Sequence, residues 1–275
     1  MTDYHAKTLK DAFRLCDIDP LVGAGLERYY VNLTPVRKTE AIDGINTILE
    51  FQDPGDFCTL LFTGHRGCGK STELQRIRRQ WEQDYRVIYT VPISVLCSSK
   101  NIVNTFGEPH IVSMVNVYQL VRDRCTLNYN SEGIKCVAEI VEKRVDTAEL
   151  FESETQVMQL VQASGGHVRQ LMQMVRSACQ TASTRKHTKI QPEDVDYAVR
   201  QQQFNFERFI PDEHYPLLAK VCLTKNITKD AIGQLMLFNT SVLEYNGLDR
   251  WNYPNPAVLR SELFQRALRE ISPDA

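Results

Sequence analysis

The sequence predicts an α/β protein: a core with a parallel sheet built around a phosphate-binding loop, an all-helical block after it, and a small C-terminal unit. Three observations predict this. A short apolar run, Phe57 to Thr63, leads directly into Gly64-His65-Arg66-Gly67-Cys68-Gly69-Lys70-Ser71 and then into a helical pattern. From about Ile134 to Arg200 the apolar residues recur at helical spacing. After Phe209 the character changes again, toward helices mixed with a strand-like stretch.

Tyr29 to Arg37 reads as an extended lead-in, and Ala41, Ile45, Ile48 and Leu49 as an amphipathic helix ending near Phe51. Asp53-Pro54-Gly55-Asp56 is a turn. Phe57 to Thr63, bounded by turn signals, reads as a buried strand. Leu74, Ile77 and Trp81 repeat at i, i+3, i+7, which predicts a helix from about Lys70 to Gln83. Val87 to Val91, continuing toward Val95, and Ile111 to Tyr118 are two further β-rich runs.

Four helices follow. The first carries Ile134, Val137, Ala138, Val141 and Val145; the second runs from about Glu154 to Ala163 and stops at Ser164-Gly165-Gly166. The third places Val168, Leu171, Met172, Val175 and Cys179 on one face. Gln191-Pro192-Glu193-Asp194 opens the fourth, with Pro192 suited to the first helical turn. Beyond Phe209 come two helices, a strand over Ser241 to Gly247, an aromatic turn around Trp251 and Tyr253, and a last helix from about Ala257. The expected division is 1–28, 29–125, 126–205 and 206–275.

Hydrophobic residues make up 43% of the 275 and charged residues 24%, enough for a packed core and against disorder. A formal net charge of −2 excludes a chain that coats nucleic acid by bulk positive charge. None of the eight cysteines forms a Cys-x-x-Cys pair, so neither a zinc site nor a disulfide framework is expected; free thiols in a reducing cytosol are. Met1 to Lys10 lacks the apolar run of a secretory signal, and no stretch approaches ~18 continuous apolar residues, so a cytoplasmic location is expected.

Gly64 to Ser71 fits G-x-x-x-x-G-K-[ST], with a strand before it and a helix after it. Glycines let the backbone fold so that its N–H groups converge on an anion. The following helix adds its free N-terminal N–H groups and positive dipole end. Lys70 is expected to reach the β/γ-phosphates, the Ser71 hydroxyl to ligate Mg²⁺, and Thr72 to support the α/β-phosphates. Cys68, between two loop glycines, reads as a small neutral filler rather than a redox thiol.

With the lead-in Tyr29-Tyr30-Val31 and Arg37, this loop and the helical block after Tyr118, residues 25–200 resemble AAA+ ATPases, closest to their initiator and STAND-like branches. The resemblance implies a three-layer P-loop core, a helical lid, and a lead-in near the adenine that brings Tyr30, Val31 and Arg37 to the nucleotide. It identifies Gly166-His167-Val168-Arg169 with the lid element whose arginine touches the γ-phosphate. The segment 206–275 resembles a winged-helix-like unit, in which Val242 to Asn246 and Trp251 form either a wing or simply core.

The sequence departs from that pattern in one respect. Neither β-rich run after the loop ends in the Asp or Glu that would hold Mg²⁺ and position the attacking water. The family has five core strands, and three are visible. Either residues of the natural protein are absent from this sequence between about Cys97 and Glu108, or the fold is a shortened one that binds nucleotide without efficient hydrolysis. The first is preferred, because about ten residues cannot replace two buried strands and their crossovers.

The function expected is therefore an ATP-dependent switch acting on a partner protein, homo-oligomeric as the resemblance implies. The alternatives are a DNA-binding initiator and a scaffold that ATP merely stabilises. No N-K-x-D guanine-reading motif is present.

Overall fold

A computed structural model describes residues 4–53, 59–81, 87–97, 107–247 and 249–272, with backbone alone for 87–89 and 97. The gap expected near Cys97 to Glu108 falls on 98–106, outside the described residues.

The core sheet is parallel, in the order β2-β1-β3: β1 is Thr59–Gly64, β2 Val87–Pro92 and β3 His110–Val112. Thr59 aligns with Val87 and Gly64 with Pro92 on one side, and Gly64 with Val112 on the other. The chain leaves β1 for one neighbour and later returns to the other. The carboxyl end of β1 is therefore a topological switch point, where open parallel sheets form their crevices. The loop 64–69 emerges there and passes into α5, Lys70–Gln80.

Before the sheet come α1 (Leu9–Leu15), α2 (Gly23–Tyr29), α3 (Thr34–Arg37) and α4 (Ala41–Phe51). The lead-in expected to be extended from Tyr29 to Arg37 is non-helical only at 30–33, extended at Tyr30 and already in the right-handed helical region at Leu33. Pro35 stands in the first turn of α3, where its missing N–H removes no helical bond. A second correction falls after β2. The run expected to continue toward Val95 turns into a 3₁₀ segment, Ile93–Cys97, because Pro92 has no N–H with which to extend the ladder.

The Ile111 to Tyr118 run is a ladder only as far as Val112. Met114 N–H donates to the Glu244 carbonyl at 3.1 Å and Asn116 N–H to that of Val36 at 3.4 Å. The backbone of 113–117 is thus satisfied by distant segments instead of a neighbouring strand, and it sits buried at the centre of the molecule.

The helical block comprises α6 (Ser131–Glu142), α7 (Thr147–Leu150), α8 (Glu154–Ser164), α9 (Val168–Thr184) and α10 (Pro192–Phe209). Central α9 packs on α8, α10 and α1. Its buried face, Leu171, Met174, Val175, Ala178 and Ala182, repeats at three- and four-residue intervals. At Ala6 the N-terminal segment is tied to this block: the Ala6 N–H donates to the Arg144 carbonyl and the Ala6 carbonyl accepts from the Asp146 N–H, both at 2.9 Å.

The C-terminal unit holds α11 (Tyr215–Thr224), α12 (Ala231–Phe238), an antiparallel hairpin of β4 (Val242–Tyr245) and β5 (Trp251–Pro254), α13 (Pro256–Leu259) and α14 (Glu262–Ile271). The aromatic turn expected at Trp251 and Tyr253 is strand β5. Its pairing with β4 (Leu243 opposite Tyr253, Tyr245 opposite Trp251) is invisible to a local reading. Every residue of the two strands is buried, whereas Asp249 and Arg250 in the connection are exposed. Trp251 stacks on Tyr245 at 4.6 Å, so these aromatics are core and not an exposed wing. Among the described residues no helix is long and apolar enough to cross a membrane.

Candidate functional site

Positive φ at Gly64 (153°), Gly67 (74°) and Gly69 (99°) shapes the loop, and the last of these is the N-cap of α5. A Cβ at Gly64 would lie 2.2 Å from the Val112 carbonyl oxygen, so only glycine lets β3 approach. At Gly67 a Cβ would lie 2.4 Å from His167 Cε1 and 2.6 Å from Arg169 Cβ. The loop is thus pressed against the start of α9, and Arg169 N–H donates to the Gly67 carbonyl at 3.1 Å. Among the described residues no side chain caps the N-terminus of α5, whose first-turn N–H groups have no partner within the helix.

The Lys70 ammonium donates to the Gly64 and His65 carbonyls at 2.7 and 2.6 Å, bridging the loop, and its third N–H meets only the weak acceptor Cys68 Sγ at 3.9 Å. Beside it opens a cavity of about 330 Å³, within the ~300–1,000 Å³ range of small-molecule sites. Its lining includes Arg66, Gly67, Gly69, Lys70, Ser71 and Thr72, with Arg37 and Arg169. Tyr29, Tyr30, Val31 and Leu33 line it as well, with Ile140, Val168 and Met172. The structure so brings together the loop, the lead-in and the lid arginine named from sequence.

Three of those residues have other surroundings. The His65 imidazole is buried behind the loop, where its Nε2 accepts the Glu244 N–H at 2.8 Å. That bond assigns the proton to Nδ1. Burial, and then the Lys70 charge, lower its pKa to about 3. The Cys68 thiol is also buried and points to the Val112 carbonyl at 3.5 Å. Gly64 backs the cavity without lining it. Only the backbones of these three residues are left to meet a ligand. Thr72 lines the cavity, yet its hydroxyl accepts the Leu21 N–H at 3.2 Å.

Arg37 is 2% exposed. Its Nη2 donates to the Cys68 carbonyl and its Nη1 meets Glu73 at 3.5 Å, whereas its Nε has no acceptor among the described residues. The buried Glu73 carboxylate also accepts from the Tyr30 hydroxyl, at 3.1 and 3.3 Å, and pairs with Arg76 at 3.3 Å. Glu73 and Arg144 line the cavity and escaped the sequence reading. Glu73 follows the motif by two positions and was within reach of it. Arg144, which sits over the Tyr29 ring and donates to the Ile140 carbonyl, carries no local signal.

The donors fit a polyanion: ammonium, guanidinium and helix N-terminal groups line one cavity. For Mg²⁺ the fit is the Ser71 hydroxyl beside Lys70, consistent with an ion that takes few protein ligands and fills its shell with phosphate oxygens and water.

No family model matches the chain, and no curated protein matches it. Among solved structures it is similar to a RuvB variant from Thermotoga maritima, at 12% identity over 80% of this chain and 79% of that one, with a TM-score of 0.42. It is also similar to a chain of Drosophila ORC bound to DNA, at 14% identity over 98% of this chain and 93% of that one, with a TM-score of 0.44. Neither superposition is close enough to say what this chain does.

Proposed function

We propose that the chain binds ATP with Mg²⁺ in this cavity and works as a nucleotide-dependent switch on a partner protein. The observation that carries the reading is one cavity lined by two chemically distinct sets of residues. Loop glycines, Lys70 and the α5 N-terminus suit a triphosphate, and Tyr29 to Val31 with Ile140, Val168 and Met172 suit a planar base.

In this reading Lys70 exchanges its weak contact with the Cys68 sulfur for the β/γ-phosphates, and Ser71 holds Mg²⁺, which neutralises phosphate charge when bound. Arg169 senses the γ-phosphate. Its backbone bond to Gly67 couples the loop to α9, so occupancy of one biases the position of the other. The AAA+ resemblance, the four-part division of the chain and homo-oligomerisation belong to this proposal. Among the described residues β2 ends in Pro92 and β3 in Val112, so no strand-end carboxylate is assigned to hydrolysis. The burial of strands β4 and β5 and the net charge of −2 leave DNA binding without a supporting observation.

Titration calorimetry with Mg·ATP tests the reading. Lys70→Ala removes a charged hydrogen-bond donor and is expected to weaken binding about 10–100-fold. Unchanged affinity in that variant overturns the site. Loss of thermal stabilisation by ATP with partner binding intact would favour the scaffold instead of the switch.

A further inference from the structure

A second cavity, of about 320 Å³, is lined by Cys125, Tyr118, Tyr129, Tyr253, Arg260 and Phe264 among others. Cys125 is partly exposed there, and Cys222 on α11 is fully buried behind it. The Cys222 thiol lies 3.8 Å from the Cys125 carbonyl oxygen, which sets the two cysteines side by side. Lys225, fully buried, donates from Nζ to the Arg124 carbonyl at 2.7 Å and to that of Cys222, and sits 4.5 Å from the centre of the Tyr253 ring. The Tyr253 hydroxyl in turn donates to the Cys125 carbonyl.

A buried ammonium is costly unless a counter-charge is at hand. No carboxylate lies within ion-pair distance of Lys225 among the described residues; Asp123 acts on it only at longer range. We propose that Cys125 and Cys222 form a reversible thiol–disulfide site, with Cys125 the attacking thiol, Cys222 the resolving thiol and Lys225 the counterion of the thiolate. The neighbouring Cys222 side chain and, against the effect of burial, the Lys225 charge hold the Cys125 pKa below the ordinary thiol value. Burial first pushes that of Cys222 far up. One thiol is thus set to react and the other to follow.

The oxidant is a small disulfide such as oxidised glutathione. The Cys125 thiolate attacks one of its sulfurs, its S–S bond breaks, and one glutathione thiolate leaves. Cys222 then gives up its proton and attacks Cys125 Sγ, releasing the second glutathione thiolate. The two protein thiols are oxidised, one glutathione disulfide is reduced, and the two thiol protons finish on the two glutathiones. The product ties the segment following Tyr118 to α11.

The test is to treat the purified full chain with oxidised glutathione, alkylate the remaining thiols and map the peptides. The expected result is a Cys125–Cys222 cross-link, an intact mass lower by two hydrogens, and reversal by dithiothreitol. In the reduced protein, iodoacetamide should label Cys125 about tenfold faster than Cys136, which is also partly exposed but is pushed up by burial. Cys222→Ser should stop at a glutathione adduct on Cys125, and Lys225→Met should slow labelling of Cys125. Adducts without a 125–222 link, or equal labelling of Cys125 and Cys136, would overturn the proposal. Both measurements on the wild-type chain decide it even where a variant fails to fold.

Discussion

The backbone N–H of Arg169 donates to the carbonyl of Gly67 across 3.1 Å, so the first turn of α9 is hydrogen-bonded to the middle of the loop that follows β1. Two segments a hundred residues apart in sequence share one short seam, and the tests that follow begin there.

Gly67→Ala is expected to open this seam. The new methyl would collide with His167 and Arg169, and alanine strains at a φ of 74°. A loss of about 1–3 kcal/mol in urea unfolding is expected, together with weaker ATP binding. A variant as stable as the parent would show that the seam is looser than its geometry.

Arg169→Ala separates the γ-phosphate role from simple packing. Its affinity for ATP should fall about tenfold with that for ADP nearly unchanged, since one charged contact to the terminal phosphate is worth about 1.5–3 kcal/mol. Equal losses for both nucleotides, measured side by side, would remove the sensor role.

Acid should loosen the molecule through its buried histidines. His65 and His167 both have pKa values lowered to about 3, burial being the largest cause in each. Unfolded, each returns toward about 6.5 and binds a proton that the folded form refuses. Stability is therefore intact above about pH 6.5 and is lost as pH falls toward 3, by up to ~1.4 kcal/mol per unit for each histidine. Urea unfolding at pH 7 and pH 5 should show the decline, and His65→Gln should flatten part of it. A slope unaffected by that substitution would assign acid lability elsewhere.

The Arg37–Glu73 pair offers a fourth test. Arg37→Met leaves a buried carboxylate with Tyr30 and Arg76 alone, and should cost about 3–5 kcal/mol. Adding Glu73→Gln to that variant should restore part of the loss. A strictly additive pair of substitutions would mean that the two side chains do not support each other.

Much of this architecture was legible in the chain. Helices such as α4, α5, α8 and α9 bury one face, and their apolar residues recur accordingly. The loop declared itself because glycine and lysine at fixed spacing stand between a strand and a helix. What escaped was settled by distant partners. The 113–117 backbone bonds to Glu244 and Val36, and β5 exists because β4 lies beside it. Nothing near Trp251 records that pairing. Likewise, nothing near His65 shows that its ring would face away from the cavity toward a residue almost two hundred positions later.

The peptide groups flanking Glu244 have a practical consequence. Its N–H serves His65 and its carbonyl serves Met114, so β4 backs the loop that follows β1. A fragment ending before Ser241 would leave both partners bare and expose the underside of the sheet's central crevice. Truncation experiments that seek a minimal nucleotide-binding piece should therefore keep the hairpin, and affinity tags belong beyond α14.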